Sequence, residues 1–304
     1  MMNIICATDN NYVQHCGVML TSLFENNKGE EIVIYVFTAG LSAANLRSLR
    51  AIVEERYFSK LICCQISPEK VRDCPVRDGD HLSIAAYYRL MAPEILPVEA
   101  TKALYLDCDI IVNSSLRDLW AIDLSNFALG AVDEMGCHLD DVFDRLGYDR
   151  QYGYFNSGVL LFNCTYWRDN NLVEKCFDFI QNHNDRIKFH DQDVLNAILH
   201  ANCLHISCKW NMEEAFFWDK VVSANLHNSD LLKAVRNPSV LHYTWKPKPW
   251  EPACFHPMKH LYYRYLGMTQ WKSYNPGSDL IKEAIHLLKT LLENLRLYKR
   301  IYYK

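Results

Sequence analysis

Two carboxylates interrupt an apolar stretch near the middle of the chain, Asp107 and Asp109 in the run ALYLDCDIIV. Burying a charge costs several kcal/mol unless it is paired, so we expect both side chains at the carboxyl end of a strand, facing a ligand or a cation. Hard carboxylate oxygens suit Mg²⁺ or Mn²⁺. A turn or capping role is the alternative, because the same D-x-D spacing recurs at 78–80 and 191–193, although without apolar sequence on both sides.

Three other residues carry chemistry that complements the two acids. His242 follows a short apolar run, and a neutral imidazole would complete an Asp₂His ligand set. Lys248, six residues further on, is placed to reach a phosphate. A structural histidine in an aromatic, proline-rich loop is the alternative for His242. Asp191 begins a predicted helix, where capping alone would explain it.

Hydrophobic patterning predicts the elements that would position these residues. Strands at 3–7, 31–37 and 60–66 alternate with helices at 15–25 and 42–57, which predicts an α/β protein with a parallel, doubly wound sheet. Such sheets bind ligands at the carboxyl ends of their strands. The pattern continues with strands at 103–106, 129–132, 157–162, 204–206 and 240–242, with helices at 165–181 and 191–200, and with a final helix that Ser278 would cap.

Composition excludes several classes of protein. The chain has 304 residues, of which 50% are hydrophobic, enough for a sizeable core. Its net charge of −4 argues against a nucleic-acid binder. Neither a GxGxxG motif nor a GxxxxGK[ST] motif occurs, so a nucleotide would have to be held in another way.

The cysteines and the N-terminal sequence predict a reduced, cytoplasmic setting. The twelve cysteines include no CxxC pair, and no signal peptide or membrane-spanning run is recognisable. His256 and His260 have the spacing of a metal pair, but Pro257 separates them and no third ligand is near, so we interpret the spacing as chance.

The charge is unevenly distributed along the chain. Residues 280–304 carry a net +4, which leaves −8 on the rest. Apolar residues recur there at helical spacing, with basic and polar residues on the other face. This pattern predicts an interfacial helix on an anionic membrane surface. Packing against the rest of the chain or against a second copy is the alternative.

Six segments in one order along residues 3–250 resemble the retaining GT-A glycosyltransferases of family 8. This family includes bacterial lipopolysaccharide galactosyl- and glucosyltransferases and their glycogenin relatives. The segments are ATDNNY at 7–12, HLSIAAYYRL at 81–90, LYLDCD at 104–109, FNSGVLL at 155–161, HDQD at 190–193 and HYTWKPKPW at 242–250. The resemblance implies a Rossmann-like, mostly parallel central sheet flanked by helices. It also implies a catalytic domain at 1–250 that binds nucleotide-sugar and metal, and a C-terminal helical extension at 251–304 with the basic amphipathic tail 280–304.

The resemblance also assigns roles residue by residue. Mn²⁺, or Mg²⁺ in its place, would be bound by Asp107, Asp109 and His242. The UDP part of the donor would contact Ala7, Asp9, Asn11, Tyr12 and Cys108. The donor sugar would contact Arg89, which is also near the phosphate, together with Asn156 and Asp191. Gln192 would lie under the anomeric carbon, and Lys248 would stabilise the charge on leaving UDP.

The implied reaction moves a hexose from UDP-galactose or UDP-glucose to a hydroxyl of a glycan or glycolipid acceptor such as lipopolysaccharide, with retention. An amide is a poor nucleophile, so we favour front-face attack, with a UDP phosphate oxygen accepting the proton, over a covalent intermediate on Gln192. The alternative is a non-catalytic nucleotide-sugar-binding or assembly protein of the same fold.

Two positions concern the acceptor. The HxxGxxKPW motif of the family has Gly where this chain has Trp245, so either the loop is re-routed or Trp245 faces the acceptor cleft. Asp133, after strand 129–132, is a candidate acceptor contact, with a turn role as the alternative. Because the family's acceptors are lipid-linked, the resemblance favours contact of the tail with an anionic membrane, at the inner face of the cytoplasmic membrane.

Overall fold

The computed structural model describes residues 1–76, 84–135, 141–295 and 297–303. Three residues of the 81–90 segment, 81–83, therefore lie outside the described part, as do the D-x-D match at 78–80 and two basic positions of the tail, 296 and 304.

A seven-stranded sheet forms the centre of the molecule. Its strands in spatial order are β3 (Lys60–Gln65), β2 (Ile32–Thr38), β1 (Met2–Ala7), β4 (Lys102–Leu106), β7 (Val159–Asn163), β6 (Leu129–Ala131) and β8 (Cys203–His205). Only β7 runs antiparallel to its neighbours β4 and β6. The prediction of a mostly parallel α/β sheet is confirmed.

Both faces of this sheet are buried, because alternate residues of each strand enter different cores. Ile4 and Ile34 pack into one cluster, whereas Ile5 and Tyr35 pack into the cluster on the opposite face. Burial on both faces explains why the strands read as continuous apolar runs.

A second, three-stranded sheet brings His242 to the two acids. Its order is β5 (Ile110–Val112), β10 (Val240–His242) and β9 (Met212–Glu213). His242 pairs with Ile110, the residue after Asp109, and on its other side with Glu213. Asp107 and Asp109 therefore lie in the short connection between a strand of the large sheet and a strand of the small one.

Helices cover the sheets. The α-helices are α1 (Val13–Asn26), α2 (Ala43–Arg50), α3 (Ala92–Ile95), α4 (Arg117–Trp120), α5 (Val142–Leu146), α6 (Cys164–Asp169), α7 (Leu172–Asn182), α8 (His190–Leu199), α9 (Asp219–Ala224), α10 (Ser229–Arg236), α11 (Lys259–Leu266) and α12 (Leu280–Asn294). A π-helix (Ala51–Arg56) continues α2. Short 3₁₀ helices are Pro68–Val71, Ile84–Met91, Arg150–Tyr152, Asn184–Arg186, His200–Asn202, Cys208–Trp210 and Glu214–Phe217.

Three local predictions are wrong. The single helix expected at 165–181 is two helices, because Asn171 takes a left-handed conformation (φ +50°) between α6 and α7. Asp191 does not cap α8, because Phe189 holds the N-cap position and Asp191 lies inside the first turn. Asp279, rather than Ser278, caps α12 by accepting a hydrogen bond from the Lys282 amide.

Residues 251–304 include α11, whose buried residues join the core on one face of the large sheet, and α12, which has no buried residue. After α12 the chain returns to the body, where Tyr302 forms a β-bridge with Trp218. Among the residues that the structure describes, no helix is both long and apolar enough to cross a membrane.

Candidate active site

Asp107, Asp109 and His242 form a cluster that can hold a metal ion. One ligand atom from each lies within 4.8 Å of the others. His242 Nε2 is 3.2 Å from Asp109 Oδ1 and 3.8 Å from Asp107 Oδ2. Two carboxylates and one imidazole form a donor set that fits Mn²⁺ or Mg²⁺.

The orientation of His242 is fixed by Asn211. His242 Nδ1 lies 2.9 Å from Asn211 Oδ1 and donates to it, which directs Nε2 towards the acids. A second hydrogen-bonding partner of this kind holds the tautomer and the ring plane of histidine ligands. Asn211 is fully buried, and the sequence reasoning missed it.

Gly158 provides the space for the imidazole. A Cβ built on this residue would be 2.2 Å from His242 Cε1 and 2.9 Å from Asp107 Oδ2. The Gly158 carbonyl also accepts the backbone N–H of Asp107 at 2.9 Å. Only glycine at this position, immediately before strand β7, lets the backbone approach both metal-ligand candidates this closely.

Arg89 joins two of the predicted site carboxylates. The Arg89 guanidinium donates to Asp107 Oδ1 at 2.9 Å and lies 3.0 Å from Asp191 Oδ2. Burial raises the pKa of Asp191 to about 6, although the charge of Arg89 acts in the opposite direction. Arg89 comes from the 3₁₀ helix Ile84–Met91 and stacks over the Tyr105 ring, with its Cζ 4.3 Å from the ring centre.

Lys248 reaches the second acid. Its Nζ is 2.8 Å from Asp109 Oδ2 and also donates to the carbonyls of Tyr243 and Thr244. Burial alone would raise the pKa of Asp109, but Lys248 and His242 outweigh it and hold that pKa well below its ordinary value. The site thus contains three carboxylates but two cationic side chains, Arg89 and Lys248; the carboxylates are those of Asp107, Asp109 and Asp191. An added cation would improve this local charge balance.

A buried hydrogen-bond chain links His242 to Gln192. Asn211 donates to Asn156 Oδ1 at 2.8 Å, and Asn156 donates to Glu134 Oε2 at 2.7 Å. The same Glu134 oxygen accepts from Gln192 Nε2 at 3.1 Å. Gln192 Oε1 accepts the Ser157 N–H at 3.0 Å, so both ends of the Gln192 amide are held.

Glu213 is a further buried acid beside this chain. It is fully buried, and burial together with the neighbouring Glu134 carboxylate raises the pKa of Glu213 well above its ordinary range. Protonation of Glu213 would relieve the repulsion between these two buried carboxyls. Sequence reasoning missed both glutamates; the only available signal was an acidic side chain next to apolar residues.

The predicted nucleotide-binding loop shapes the start of α1. Asp9 Oδ1 accepts the backbone N–H groups of Asn11 at 2.8 Å and Tyr12 at 3.0 Å, which holds the turn. Asn11 is exposed. Cys108 Sγ donates to the Ala7 carbonyl at 3.1 Å, so the loop lies directly against the acidic connection.

The two acceptor candidates lie in different surroundings. Asp133 is exposed, and its Oδ1 is 2.6 Å from His205 Nδ1. Trp245 is partly exposed and packs towards Trp218, with the ring centres 5.9 Å apart.

A mostly parallel sheet that ends in two carboxylates beside a histidine is the arrangement of a GT-A glycosyltransferase, and the structural comparison agrees. The galactosyltransferase LgtC, solved in complex with donor and acceptor sugar analogues, superposes with a TM-score of 0.78 at 27% identity, over 88% of this chain and 96% of LgtC. The model of glycosyl transferase family 8 matches residues 3–254, and the chain belongs to that family.

Relatives in sequence cover nearly the whole chain. General stress protein A of Bacillus subtilis (strain 168) is 28% identical over 278 residues, which are 90% of this chain and 96% of the relative. The lipopolysaccharide 1,2-glucosyltransferase of Escherichia coli (strain K12) is 24% identical over 301 residues, 99% of this chain and 85% of the relative.

Proposed function

We propose that this chain is a metal-dependent hexosyltransferase that moves galactose or glucose from a UDP-sugar to a hydroxyl of a glycan or glycolipid, with retention. The observation that carries this proposal is the Asp107–Asp109–His242 cluster, held by Asn211 at the acidic sheet edge of a family 8 chain. The relatives include a lipopolysaccharide glucosyltransferase and a galactosyltransferase, which supports both hexoses.

Mn²⁺ or Mg²⁺ would be held by Asp107, Asp109 and His242. The bound ion would supply positive charge that neutralises the diphosphate of the donor and of leaving UDP. Lys248, already beside Asp109, would add a second positive charge for the departing phosphate.

The donor would lie along the carboxyl edge of the sheet. We assign the UDP part to the first loop and to the residue between the acids: Ala7, Asp9, Asn11, Tyr12 and Cys108. Arg89, Asn156 and Asp191 would contact the sugar, and Gln192 would lie under the anomeric carbon. Because both ends of the Gln192 amide are hydrogen-bonded, the side chain is a fixed dipole rather than a mobile nucleophile.

In the proposed chemistry the sugar–phosphate bond breaks on the face from which the acceptor hydroxyl attacks. The acceptor oxygen bonds to the anomeric carbon, and its proton passes to a phosphate oxygen of UDP. An amide is a poor nucleophile, so a covalent intermediate on Gln192 is not needed. This route gives retention without a protein base.

Residues 1–250 would form the catalytic domain, and residues 251–304 would add membrane contact through the tail 280–304. Asp133 and Trp245 are our candidates for the acceptor side. The apolar residues that α12 leaves exposed support peripheral contact with an anionic surface. The proposed location is the inner face of the cytoplasmic membrane.

A donor screen tests the proposal. UDP release is measured with Mn²⁺ for UDP-glucose, UDP-galactose and other UDP-sugars, with and without glycan acceptors. Turnover with one of the two hexoses is expected. UDP binding without turnover across an acceptor library would instead indicate a non-catalytic nucleotide-sugar-binding protein, the alternative that Trp245 in place of glycine favours. If the protein shows no UDP binding and no turnover, both the transferase proposal and the binding-protein alternative are refuted.

A further inference from the structure

We propose that residues 301–303 position the loop that carries Lys248; the catalytic meaning of that loop rests on the proposed function. We name residues 301–303 the docked end and residues 243–248 the Lys248 loop. The docked end is separated from the loop by more than fifty residues of chain, yet the fold brings the two together.

Backbone hydrogen bonds attach the docked end to the body. The Asp219 N–H donates to the Ile301 carbonyl at 2.8 Å, and the Tyr303 N–H donates to the Phe217 carbonyl at 2.8 Å. Tyr302 lies between them and forms an antiparallel bridge with Trp218. The docked end thus adds a short β-type pairing to residues 217–219.

The Tyr302 side chain secures this attachment. Its hydroxyl donates to Glu214 Oε1 at 2.5 Å. Burial raises the pKa of Glu214, while hydrogen bonds from Tyr302 and Trp218 and the charge of Lys248 act in the opposite direction. The hydrogen bond between Tyr302 and Glu214 is a specific anchor for the docked end. Removing the Tyr302 hydroxyl would leave the half-buried Glu214 carboxyl with one hydrogen bond fewer to offset the cost of its burial.

Two contacts continue from the docked end into the Lys248 loop. Trp218, bridged to Tyr302, packs towards Trp245, with the ring centres 5.9 Å apart. The buried His256 ring stands between the docked end and the start of the loop, with its centre 6.5 Å from that of Tyr302 and 5.0 Å from that of Tyr243. Aromatic rings at these distances pack against one another, so a shift of one ring displaces its neighbour.

The position of the Lys248 loop determines where the Lys248 ammonium group lies relative to the candidate metal site. Lys248 Nζ donates to the carbonyls of Tyr243 and Thr244 as well as to Asp109, so the ammonium group is fixed relative to the loop backbone. The Tyr243 N–H donates to the Asp109 carbonyl at 3.0 Å. If the Trp218 and His256 contacts were lost, the Lys248 loop would shift. Lys248 would then move away from Asp109.

Hydrogen exchange of the full-length protein tests this inference without relying on activity. Tyr302→Ala removes the anchor, and Tyr298→Ala is the matched control, since Tyr298 lies in the same tail but is 45% exposed. We expect amides of residues 217–219 and of the Lys248 loop to exchange faster in Tyr302→Ala and to be unchanged in Tyr298→Ala. Tyr302→Phe keeps the ring and should give a smaller increase in the amide exchange rate of the same segments. This variant keeps the test decisive if Tyr302→Ala unfolds.

A binding measurement supplies the functional readout. With Mn²⁺ present, the Kd for UDP should rise about tenfold in Tyr302→Ala, the loss of roughly one hydrogen bond to a charged group, and stay at the wild-type value in Tyr298→Ala. Faster exchange at 217–219 with an unchanged Lys248 loop would overturn the inference. If wild-type protein binds no UDP, the proposed function fails, while the exchange comparison still decides whether the docked end positions the loop.

Discussion

At the scale of single residues, the site depends on polar side chains that are buried or largely buried. Asn211 orients His242, and Glu134 holds both Asn156 and Gln192. Each of these groups has a hydrogen-bonding partner, which offsets the cost of burying it. The result is a rigid set of donors and acceptors around the predicted position of the sugar.

The Asp133–His205 pair predicts a pH dependence of stability. The hydrogen bond to Asp133 raises the pKa of His205 above its ordinary value of 6.5. The contribution of the pair is therefore complete below pH 6.5 and is lost as the pH rises through the raised pKa. Because the pair is partly exposed, it is worth at most about 1 kcal/mol.

Urea unfolding between about pH 6 and about pH 9 measures this effect. The free energy of unfolding should fall by more in the wild-type protein than in His205→Gln over that range. The exposed histidine variant His227→Gln should follow the wild-type curve. Equal pH dependence in wild type and His205→Gln would contradict the assignment.

The sequence predicted the residues that carry charge at the site, but not the residues that hold them. Asp107, Asp109 and His242 could be predicted to converge because each follows or interrupts an apolar strand. Glu213 lies in the two-residue strand β9 and Asn211 lies immediately before that strand, and periodicity cannot detect so short an element. Their roles depend on the pairing of β9 with β10, which is a tertiary feature.

At the scale of elements, the close approach of strand β7 to His242 makes Gly158 a sensitive position. Gly158→Ala would place a methyl group 2.2 Å from His242 Cε1, so the imidazole or the strand must move. We expect the Mn²⁺ affinity to fall by at least about tenfold, since a displaced ligand costs roughly 1.4 kcal/mol or more.

Gly130→Ala is the matched control for this prediction. Gly130 lies in the neighbouring strand β6, and a Cβ there would meet nothing closer than 3.4 Å. Calorimetric titration with Mn²⁺ should therefore separate the two variants. Similar Mn²⁺ affinities in Gly158→Ala and Gly130→Ala would show that His242 does not bind the ion.

The sequence predicted the type of the helices discussed here more accurately than it predicted where they begin and end. The run at 42–57 was predicted as one helix, and it is helical throughout, although its second half is a π-helix. The division at Asn171 was missed because asparagine occurs in helices as well as in left-handed turns. The start of α8 was misjudged because Asp191 is held by Arg89, a contact distant in sequence.

At the scale of the whole molecule, the basic tail is not one unit. The sequence predicted residues 280–304 as a single basic amphipathic tail. The structure shows that α12 has no buried residue and touches the body where His286 stacks on Phe255, whereas residues 301–303 are attached beside the Lys248 loop. A truncation at 280 would therefore remove two different features, and point variants are needed to separate them.

The exposed face of α12 predicts membrane binding that can be tested alone. Ile281 and Leu288 are 75% and 57% exposed and two turns apart on the helix. The double variant Ile281→Ser/Leu288→Ser should bind anionic phospholipid vesicles at least about tenfold more weakly, because each buried apolar side chain contributes about 1.5–3 kcal/mol.

Vesicle co-sedimentation provides the measurement, with Leu226→Ser as control. Leu226 is 55% exposed but lies on the body, between α9 and α10. Its substitution should leave vesicle binding unchanged. Equal binding of wild-type protein and the α12 variant would place the membrane contact elsewhere or exclude it.

The central claim, that Asp107, Asp109 and His242 bind a metal ion that holds UDP, is tested most directly by calorimetric titration with UDP. We predict binding with Mn²⁺ present and an affinity at least about tenfold weaker in chelator. In Asp109→Ala the Mn²⁺ effect should disappear, while the exposed-site variant Asp118→Ala should retain it. UDP affinity that is the same with Mn²⁺ and with chelator, or Mn²⁺ dependence that survives in Asp109→Ala, would contradict the account.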